Sequence, residues 1–143
     1  LLLVMDSYVE LYKGGIVPLA DFVNMPYDRD ILVRVIVKKT AAHYSYKSVR
    51  ISKTDFPVLT CAAALTQEGV QAAVGARPAK AALVKDAEQL ATLPMTAEKA
   101  QAFAEYAAGL LPTETNPRGS AAYRTHLIKV LTARCLTELG GKA

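Results

Sequence analysis

The stretch Asn116-Pro117-Arg118-Gly119-Ser120-Ala121-Ala122-Tyr123-Arg124 decides how the end of this chain folds. Pro117 prevents a helix from running through it, and the Ser120 hydroxyl can cap a helix that begins immediately afterwards. Apolar residues then recur at spacings of three and four, while Gly140-Gly141 predicts the end of the helix. The sequence therefore predicts a final amphipathic helix whose buried stripe consists of Tyr123, Leu127, Val130, Leu131, Ala133 and Leu136, with Arg124, Lys129, Arg134 and Glu138 mostly turned elsewhere.

The first part of the chain has the alternation and turn residues of an antiparallel meander. A hairpin is predicted where residues 8–13 meet residues 16–19 through Gly14-Gly15. The β-branched run 31–37 predicts a strand, with Ile31, Val33, Val35 and Val37 on a buried face. Further strands are predicted over residues 44–50, 58–65 and 70–75.

Helical spacing returns after Arg77-Pro78. The sequence predicts a short helix over residues 81–93 and a second one capped by Thr96, with an inner stripe of Ala100, Phe103, Ala104, Ala107 and Leu111. Together these elements predict an α+β fold, in which an antiparallel sheet of three to four strands packs against three helices and follows a β-hairpin.

Composition excludes several classes of protein. The chain has 143 residues, of which 52% are hydrophobic and 21% charged, so it is not a disordered polypeptide. The net charge of +4 is scattered along the chain without interleaved aromatic residues, which argues against a nucleic-acid partner. The apolar start, residues 1–5, is too short to cross a membrane, and we expect no membrane partner.

The residues that usually carry chemistry do not form a site. Cys61 lies in an apolar run and Cys135 lies on the last helix, so both are interpreted as buried hydrophobic residues rather than a disulfide or metal ligands. His43 and His126 have no accompanying carboxylate pattern. We therefore expect no catalytic residue and no metal site, and reduced thiols favour a cytoplasmic protein.

Four segments in this order resemble the FAD-binding (flavoprotein) subunit of the molybdenum hydroxylases, the group of xanthine dehydrogenase and carbon monoxide dehydrogenase. They are Val17-Pro18-Leu19-Ala20-Asp21-Phe22, Asp30-Ile31-Leu32-Val33, residues 47–55, and Arg118 to Arg124 with the helix that follows. The resemblance implies that residues 1–40 are the carboxy-terminal end of a FAD-binding domain. Residues 41–143 would then form the flavoprotein's carboxy-terminal α+β domain.

The resemblance also implies an electron-transfer function. In that family electrons pass from a molybdopterin centre through two [2Fe-2S] clusters to FAD, and then to an acceptor such as NAD. By matching the family's motifs, Leu32 and Lys47 are the implied cofactor-binding residues. No glycine-rich pyrophosphate loop occurs in the sequence, so the implied FAD site is incomplete without an amino-terminal FAD-binding segment or chain. The other implied partners are the molybdopterin subunit and the [2Fe-2S] subunit.

Two features leave the function open. The chain has Arg50-Ile51 where many family members carry adjacent arginines, and Pro57 removes a backbone donor at the start or edge of a strand. The acceptor-facing side of this loop therefore differs from the family pattern, and NAD is not assured. The alternative interpretation is a stand-alone protein-interaction module with the same fold and no catalytic activity.

Overall fold

A computed structural model describes residues 1–27 and 29–141. The predicted hairpin is confirmed: β1 (Ser7–Leu11) and β2 (Gly15–Pro18) pair in antiparallel fashion, with Gly15 at a φ of +70°. The strand β3 (Leu32–Val37) pairs with the other side of β1, which gives a three-stranded sheet in the order β2-β1-β3. A 3-10 turn at Leu2–Val4 precedes this sheet, and the four-residue helix α1 (Leu19–Phe22) follows β2.

A second sheet carries the rest of the meander. It contains β4 (His43–Val49), β5 (Leu59–Thr66), β6 (Gly69–Gly75) and β7 (Ala82–Lys85), all antiparallel and in chain order. The turn between β5 and β6 opposes Thr66 to Gly69, whose φ of +117° suits glycine. The sheet's central strands are rich in alanine, so helices can approach it closely.

Two long helices cover one face of this second sheet. Helix α2 (Ala97–Leu110) begins where the Thr96 hydroxyl accepts a hydrogen bond from the Lys99 amide, and α3 (Ala121–Gly140) begins where Ser120 accepts one from Tyr123. Both caps are as predicted. The two helices enclose the main core with β5 and β6, and this core includes Leu59, Cys61, Val74, Phe103, Ile128 and Leu136.

The opposite face of the second sheet is covered by the 3-10 turn near the start of the chain. Val4 packs there against Ala62, Ala64 and Ala73. The first sheet is therefore joined to the second through a small apolar cluster. The α+β class and the four-stranded sheet are confirmed, whereas the predicted boundary at residue 40 stays a prediction, and residues 142 and 143 lie outside the described part of the chain.

The helix predicted over residues 81–93 is wrong. Residues 82–85 form the edge strand β7, in which Ala72 opposes Val84 and Ala73 opposes Leu83. Beyond it, the Asp86 carboxylate accepts hydrogen bonds from the amides of Leu90 and Ala91, at 2.9 and 2.8 Å. Residues 82–85 therefore form a strand because they pair with the free edge of β6, and Asp86 stabilises the loop that follows. These tertiary interactions outweigh the local preference for a helix.

The buried face predicted for β3 is also wrong. Ile31, Val33, Val35 and Val37 are all exposed, with 41–65% of each residue accessible. The reason lies in the sheet order, because β3 is an edge strand and no described element packs over these four residues. An accessible β-branched strand with a free edge is a surface to which another polypeptide can pair.

The stripe predicted for the last helix is only partly correct. Leu127, Leu131 and Leu136 are buried as expected. Val130 and Ala133 are half-buried, Tyr123 is exposed, and Arg124, predicted to point away, is 1% accessible. The helix is thus rotated so that its first turn directs a guanidinium group, rather than a phenol ring, into the domain.

Candidate functional site

Leu32 lines a mainly apolar cavity of about 520 Å³. As the first residue of β3 it opposes Leu11 on β1, where the register of the two strands shifts. Most of the cavity wall is apolar, with Phe22, Met25 and Tyr27 as its largest apolar or aromatic side chains, and Asp30 and Lys80 are its charged members. Such a lining suits a flat ring system more than a phosphate group.

Polar contacts around this cavity hold its walls in place. The Asp30 carboxylate accepts hydrogen bonds from the amides of Lys13, Gly14 and Ile31, at 2.8–3.1 Å, so it fastens the hairpin turn to the start of β3. From the loop between β6 and β7, the Lys80 ammonium donates to the Val23 carbonyl at 2.9 Å. The cavity therefore lies where the first sheet and α1 meet this loop.

Lys47 lies elsewhere, at the interface between β4 and α3. Its ammonium is 2.7 Å from the Glu138 carboxylate, which also accepts a hydrogen bond from the Ser45 hydroxyl at 2.9 Å. The hydrogen bond to Glu138 raises the pKa of Lys47 above its ordinary value. About a third of the Lys47 side chain is accessible, so the pair sits at the border of the core rather than inside it.

The two residues implied as cofactor contacts are not brought into one cavity. Leu32 belongs to the three-stranded sheet and Lys47 to the four-stranded sheet, and Lys47 does not line the Leu32 cavity. Their assignment to FAD therefore stays a prediction. The apolar cavity fits the expectation for Leu32, whereas the ammonium of Lys47 already has a carboxylate partner.

A second cavity, also of about 520 Å³, separates the two sheets. Its wall combines the 3-10 turn with residues from both sheets, among them Ser7, Tyr44 and Gln71. The Ser7 hydroxyl is buried and has no hydrogen-bond partner within the described part of the chain. Neither Leu32 nor Lys47 lines this cavity.

Among residues 116–124, Arg124 forms the most side-chain hydrogen bonds, a role that its spacing in the sequence did not predict. Its guanidinium donates to the carbonyl groups of Val58, at 3.0 Å, and Glu114, at 2.6 Å, and to that of Gly119. It also donates to the Asn116 side-chain oxygen at 2.6 Å. Arg124 thus joins the first turn of α3 to the turn before it and to the entry of β5.

The same turn also contacts the loop between β4 and β5. Arg118 forms an ion pair with Asp55, at 3.5 Å, and its guanidinium lies 5.4 Å from the centre of the exposed Phe56 ring. Arg50 donates to the Asp55 carbonyl at 2.6 Å, which closes the loop on itself. These contacts place a basic and aromatic surface beside β4, and Pro57 lies just before β5, as predicted.

Within the described residues, 1–27 and 29–141, no group of three or more histidine, cysteine, aspartate or glutamate side chains is arranged to hold a metal ion. None of the helices in this part of the chain has the length and hydropathy needed to cross a membrane.

The two antiparallel sheets and the two long packed helices define an α+β domain. Residues 44–139, about two thirds of the chain, match the CO dehydrogenase flavoprotein C-terminal domain family. The chain therefore belongs to this family. The resemblance to the flavoprotein subunit of the molybdenum hydroxylases is confirmed.

Solved structures show the same fold at low sequence identity. Quinoline 2-oxidoreductase from Pseudomonas putida 86 is 22% identical, with a TM-score of 0.83, and the match covers 99% of this chain and 55% of that one. Carbon monoxide dehydrogenase from Hydrogenophaga pseudoflava is 18% identical, with a TM-score of 0.82 and the same coverage of both chains.

Reconstituted CO dehydrogenase from Oligotropha carboxidovorans is 20% identical, with a TM-score of 0.77, covering 100% of this chain and 56% of that one. Comparison with curated protein sequences gives no match. The chain thus spans little more than half the length of the structures that it matches.

Proposed function

We propose that this chain is the carboxy-terminal portion of a FAD-containing oxidoreductase subunit. The subunit would pass electrons from a molybdopterin and [2Fe-2S] hydroxylase to an acceptor such as NAD. The family match supports a flavoprotein, and the 55% coverage of the related chains leaves room for a segment that supplies the rest of the FAD site. FAD would carry out the redox chemistry, while the protein binds and orients it.

The observation that carries this proposal is the accessible apolar surface of β3 beside the Leu32 cavity. Val33, Val35 and Val37 expose 41–52% of their areas, and Ile31 exposes 65%. A surface of this kind is unfavourable in water and favourable once another polypeptide covers it. A partner segment that pairs with the free edge of β3 and covers these valines would therefore complete the sheet.

Leu32 would contribute to FAD binding by packing its apolar side chain against the ring system. Lys47 would contribute charge, because an ammonium group stabilises nearby negative charge on a phosphate or a reduced flavin. For Lys47 to do so, Glu138 would have to share its ammonium with the cofactor. The molybdopterin and [2Fe-2S] subunits would be the electron donors.

The test is recombination of the 143-residue chain with the amino-terminal, glycine-rich half of a related flavoprotein. The recombined protein is expected to retain FAD through gel filtration, measured by flavin absorbance. Leu32→Asp should reduce the retained flavin by about tenfold, because it buries a charge against an apolar ring. Leu110→Asp, at an exposed leucine of α2 that lies outside the cavity, is the matched control and should retain flavin normally.

Two results would contradict the proposal. One is a stable complex of two folded halves that holds no flavin, and the other is equal flavin loss from the Leu32 and Leu110 variants. The exposed strand β3 also supports the second candidate, a protein-interaction module that binds its partner by strand pairing. A stable flavin-free complex would favour that candidate.

A further inference from the structure

The cavity between the two sheets has the size and position of a small-molecule site. Its volume of about 520 Å³ falls within the range of about 300–1,000 Å³ that is typical of ligand pockets. Its wall is formed by the start of the chain, α1, the linker at residues 40–42, the turn between β5 and β6, and β7. Within the described residues, this wall and that of the Leu32 cavity have no member in common. A molecule bound here would contact both sheets at once.

Ser7 contributes an unsatisfied hydroxyl group to this wall. The residue is 6% accessible, and within residues 1–27 and 29–141 its hydroxyl oxygen has no hydrogen-bond partner. Ser7 and the buried residues Val9 and Leu11 occupy alternate positions of β1, so they share one face of the first sheet. A buried hydroxyl without a partner destabilises a fold, and native proteins contain few such groups. A ligand that exchanges a hydrogen bond with Ser7 would remove this cost.

The charged residues of this wall are already matched by opposite charges. They are Asp6, Glu68 and Lys85. The Asp6 carboxylate lies 3.8 Å from the Lys38 ammonium, and the Glu68 carboxylate lies 3.9 Å from the Lys85 ammonium. An ionic ligand would therefore lose its hydration without gaining an unpaired charge as a partner. The charges of the wall favour an uncharged ligand.

The remaining side chains of the wall suit an aromatic ring. Leu3, Leu19 and Leu83 supply apolar surface, and Tyr44 supplies an aromatic ring. The Tyr44 hydroxyl lies 2.8 Å from the Thr40 hydroxyl. One of these two groups donates to the other, so the second hydrogen of the pair is left for a further bond. Apolar and aromatic walls with a few fixed polar groups are typical of sites for small organic ligands.

We propose that the cavity between the two sheets binds a small, uncharged aromatic molecule that carries a hydrogen-bonding group, and that the Ser7 hydroxyl anchors this group. The ring of the ligand packs against Tyr44 and the leucines, and its carbonyl or amide group pairs with Ser7. Because the wall comes from both sheets, the ligand holds them together and stabilises the folded chain by mass action. Binding at this cavity does not require FAD, so it is tested independently of the proposed electron-transfer function.

The experiment titrates the isotope-labelled 143-residue chain with benzamide and follows the backbone amide signals by NMR. Benzamide has a planar ring, an amide group and no charge. We expect saturable shifts along the cavity wall, at Ser7, Tyr44 and Gln71, and none at Leu32. Half-saturation is expected at about 1 mM, because so small a ligand binds weakly. Toluene lacks the amide and benzoate carries a negative charge, so each should bind about fivefold more weakly or less.

Ser7→Ala distinguishes a ligand anchor from an ordinary buried serine. Removing the unsatisfied hydroxyl should raise the urea midpoint of the ligand-free chain, because a buried group without a partner is lost. The same change should weaken benzamide binding by about fivefold and leave toluene binding unchanged, since only benzamide can use the hydroxyl. Ser48→Ala, at a half-buried serine of β4 that lies outside the cavity, is the matched control and should bind benzamide like the wild type.

Several results would overturn the proposal. One is the absence of a saturable shift with about 10 mM benzamide, and another is a set of shifts that lies outside the cavity wall. A third is equal benzamide affinity of the wild type and the Ser7 variant. A lower urea midpoint for Ser7→Ala would also overturn it, because the hydroxyl would then have a stabilising partner such as a bound water molecule. The wild-type titration decides the matter even if a variant fails to fold.

Discussion

Replacing Arg124 should destabilise the domain more than any other single change at a charged residue of α3. The side chain is 1% accessible and donates to four oxygen atoms, three of them backbone carbonyls. Of these acceptors, Val58 is itself 1% accessible, while Glu114 and Gly119 lie nearer the surface. Water can replace the guanidinium at the two outer carbonyls, but not at Val58.

The expected loss of stability depends on how many of these carbonyl groups remain without a donor. One buried carbonyl left without a donor costs about 1–3 kcal/mol, and loss of the buried aliphatic stem with its cavity costs about 2 kcal/mol more. Removing a buried charge also relieves its desolvation, which offsets part of this loss. We therefore expect Arg124→Ala to lower the free energy of unfolding by about 2–4 kcal/mol, a large fraction of the 5–15 kcal/mol of an ordinary domain.

The assay is urea denaturation of the 143-residue chain at neutral pH, followed by circular dichroism. Arg124→Met should restore about 1–2 kcal/mol relative to alanine, since it replaces the stem but not the hydrogen bonds. Arg134→Ala, at an exposed arginine of the same helix, should change stability by less than about 0.5 kcal/mol. If Arg124→Met were as stable as the wild type, the hydrogen bonds would contribute no more than the cost of burying the charge, and the reasoning would be refuted.

Two further predictions concern α2 and α3. Gly140→Ala would place a Cβ atom 2.5 Å from the Met95 side chain and should destabilise by about 1–3 kcal/mol, whereas Gly109→Ala, with nothing within 4 Å, should stabilise by about 0.5–1 kcal/mol in the same urea assay. Equal effects at the two glycines would contradict the packing argument. Glu138→Gln should lower the urea midpoint near pH 8, because Glu138 raises the pKa of Lys47 and so stabilises the fold while that lysine is protonated. The difference from wild type should fade as pH rises through the elevated pKa, above the ordinary lysine value of about 10.4, and a difference that persists there would exclude the ion pair as its cause.

The features that the sequence predicted correctly are those determined by near neighbours. Ser120 and Thr96 cap their helices because a hydroxyl reaches an amide only three residues away. The hairpin turn at Gly14-Gly15 likewise depends on backbone angles at adjacent positions. For such features a single sequence contains all the necessary information.

The wrong predictions concern features that depend on residues far away in the sequence. Residues 82–85 have a helical spacing, but the free edge of β6 recruits them as a strand. The valines of β3 have the composition of a core strand, yet no described element covers them. Strand formation in the first case and burial in the second depend on an element distant in sequence. The local spacing of apolar residues does not indicate whether such an element packs there.

In the candidate site, too, local motifs could be recognised from the sequence, whereas contacts between distant residues could not. Leu32 could be singled out from its motif, and the structure places it at an apolar cavity. The pairing of Lys47 with Glu138 joins residues 91 positions apart and could not be predicted. No pattern of spacing indicated that Arg124 would donate to four acceptors in two separate segments, Val58 and the turn at residues 114–119.

The residues that reveal the family are therefore mainly those that assemble the domain. Arg124 and Asn116 hold the turn before α3, and Arg118 from that turn contacts Asp55 and Phe56 in the loop that follows β4. Each of these contacts fixes the position of a strand or loop, and none of them requires a ligand. The segment acts on α3 and β5, so it contributes to the fold rather than to the choice of a ligand. Differences in function among such chains should instead be sought in the wall of the Leu32 cavity and in the loop beside Lys47.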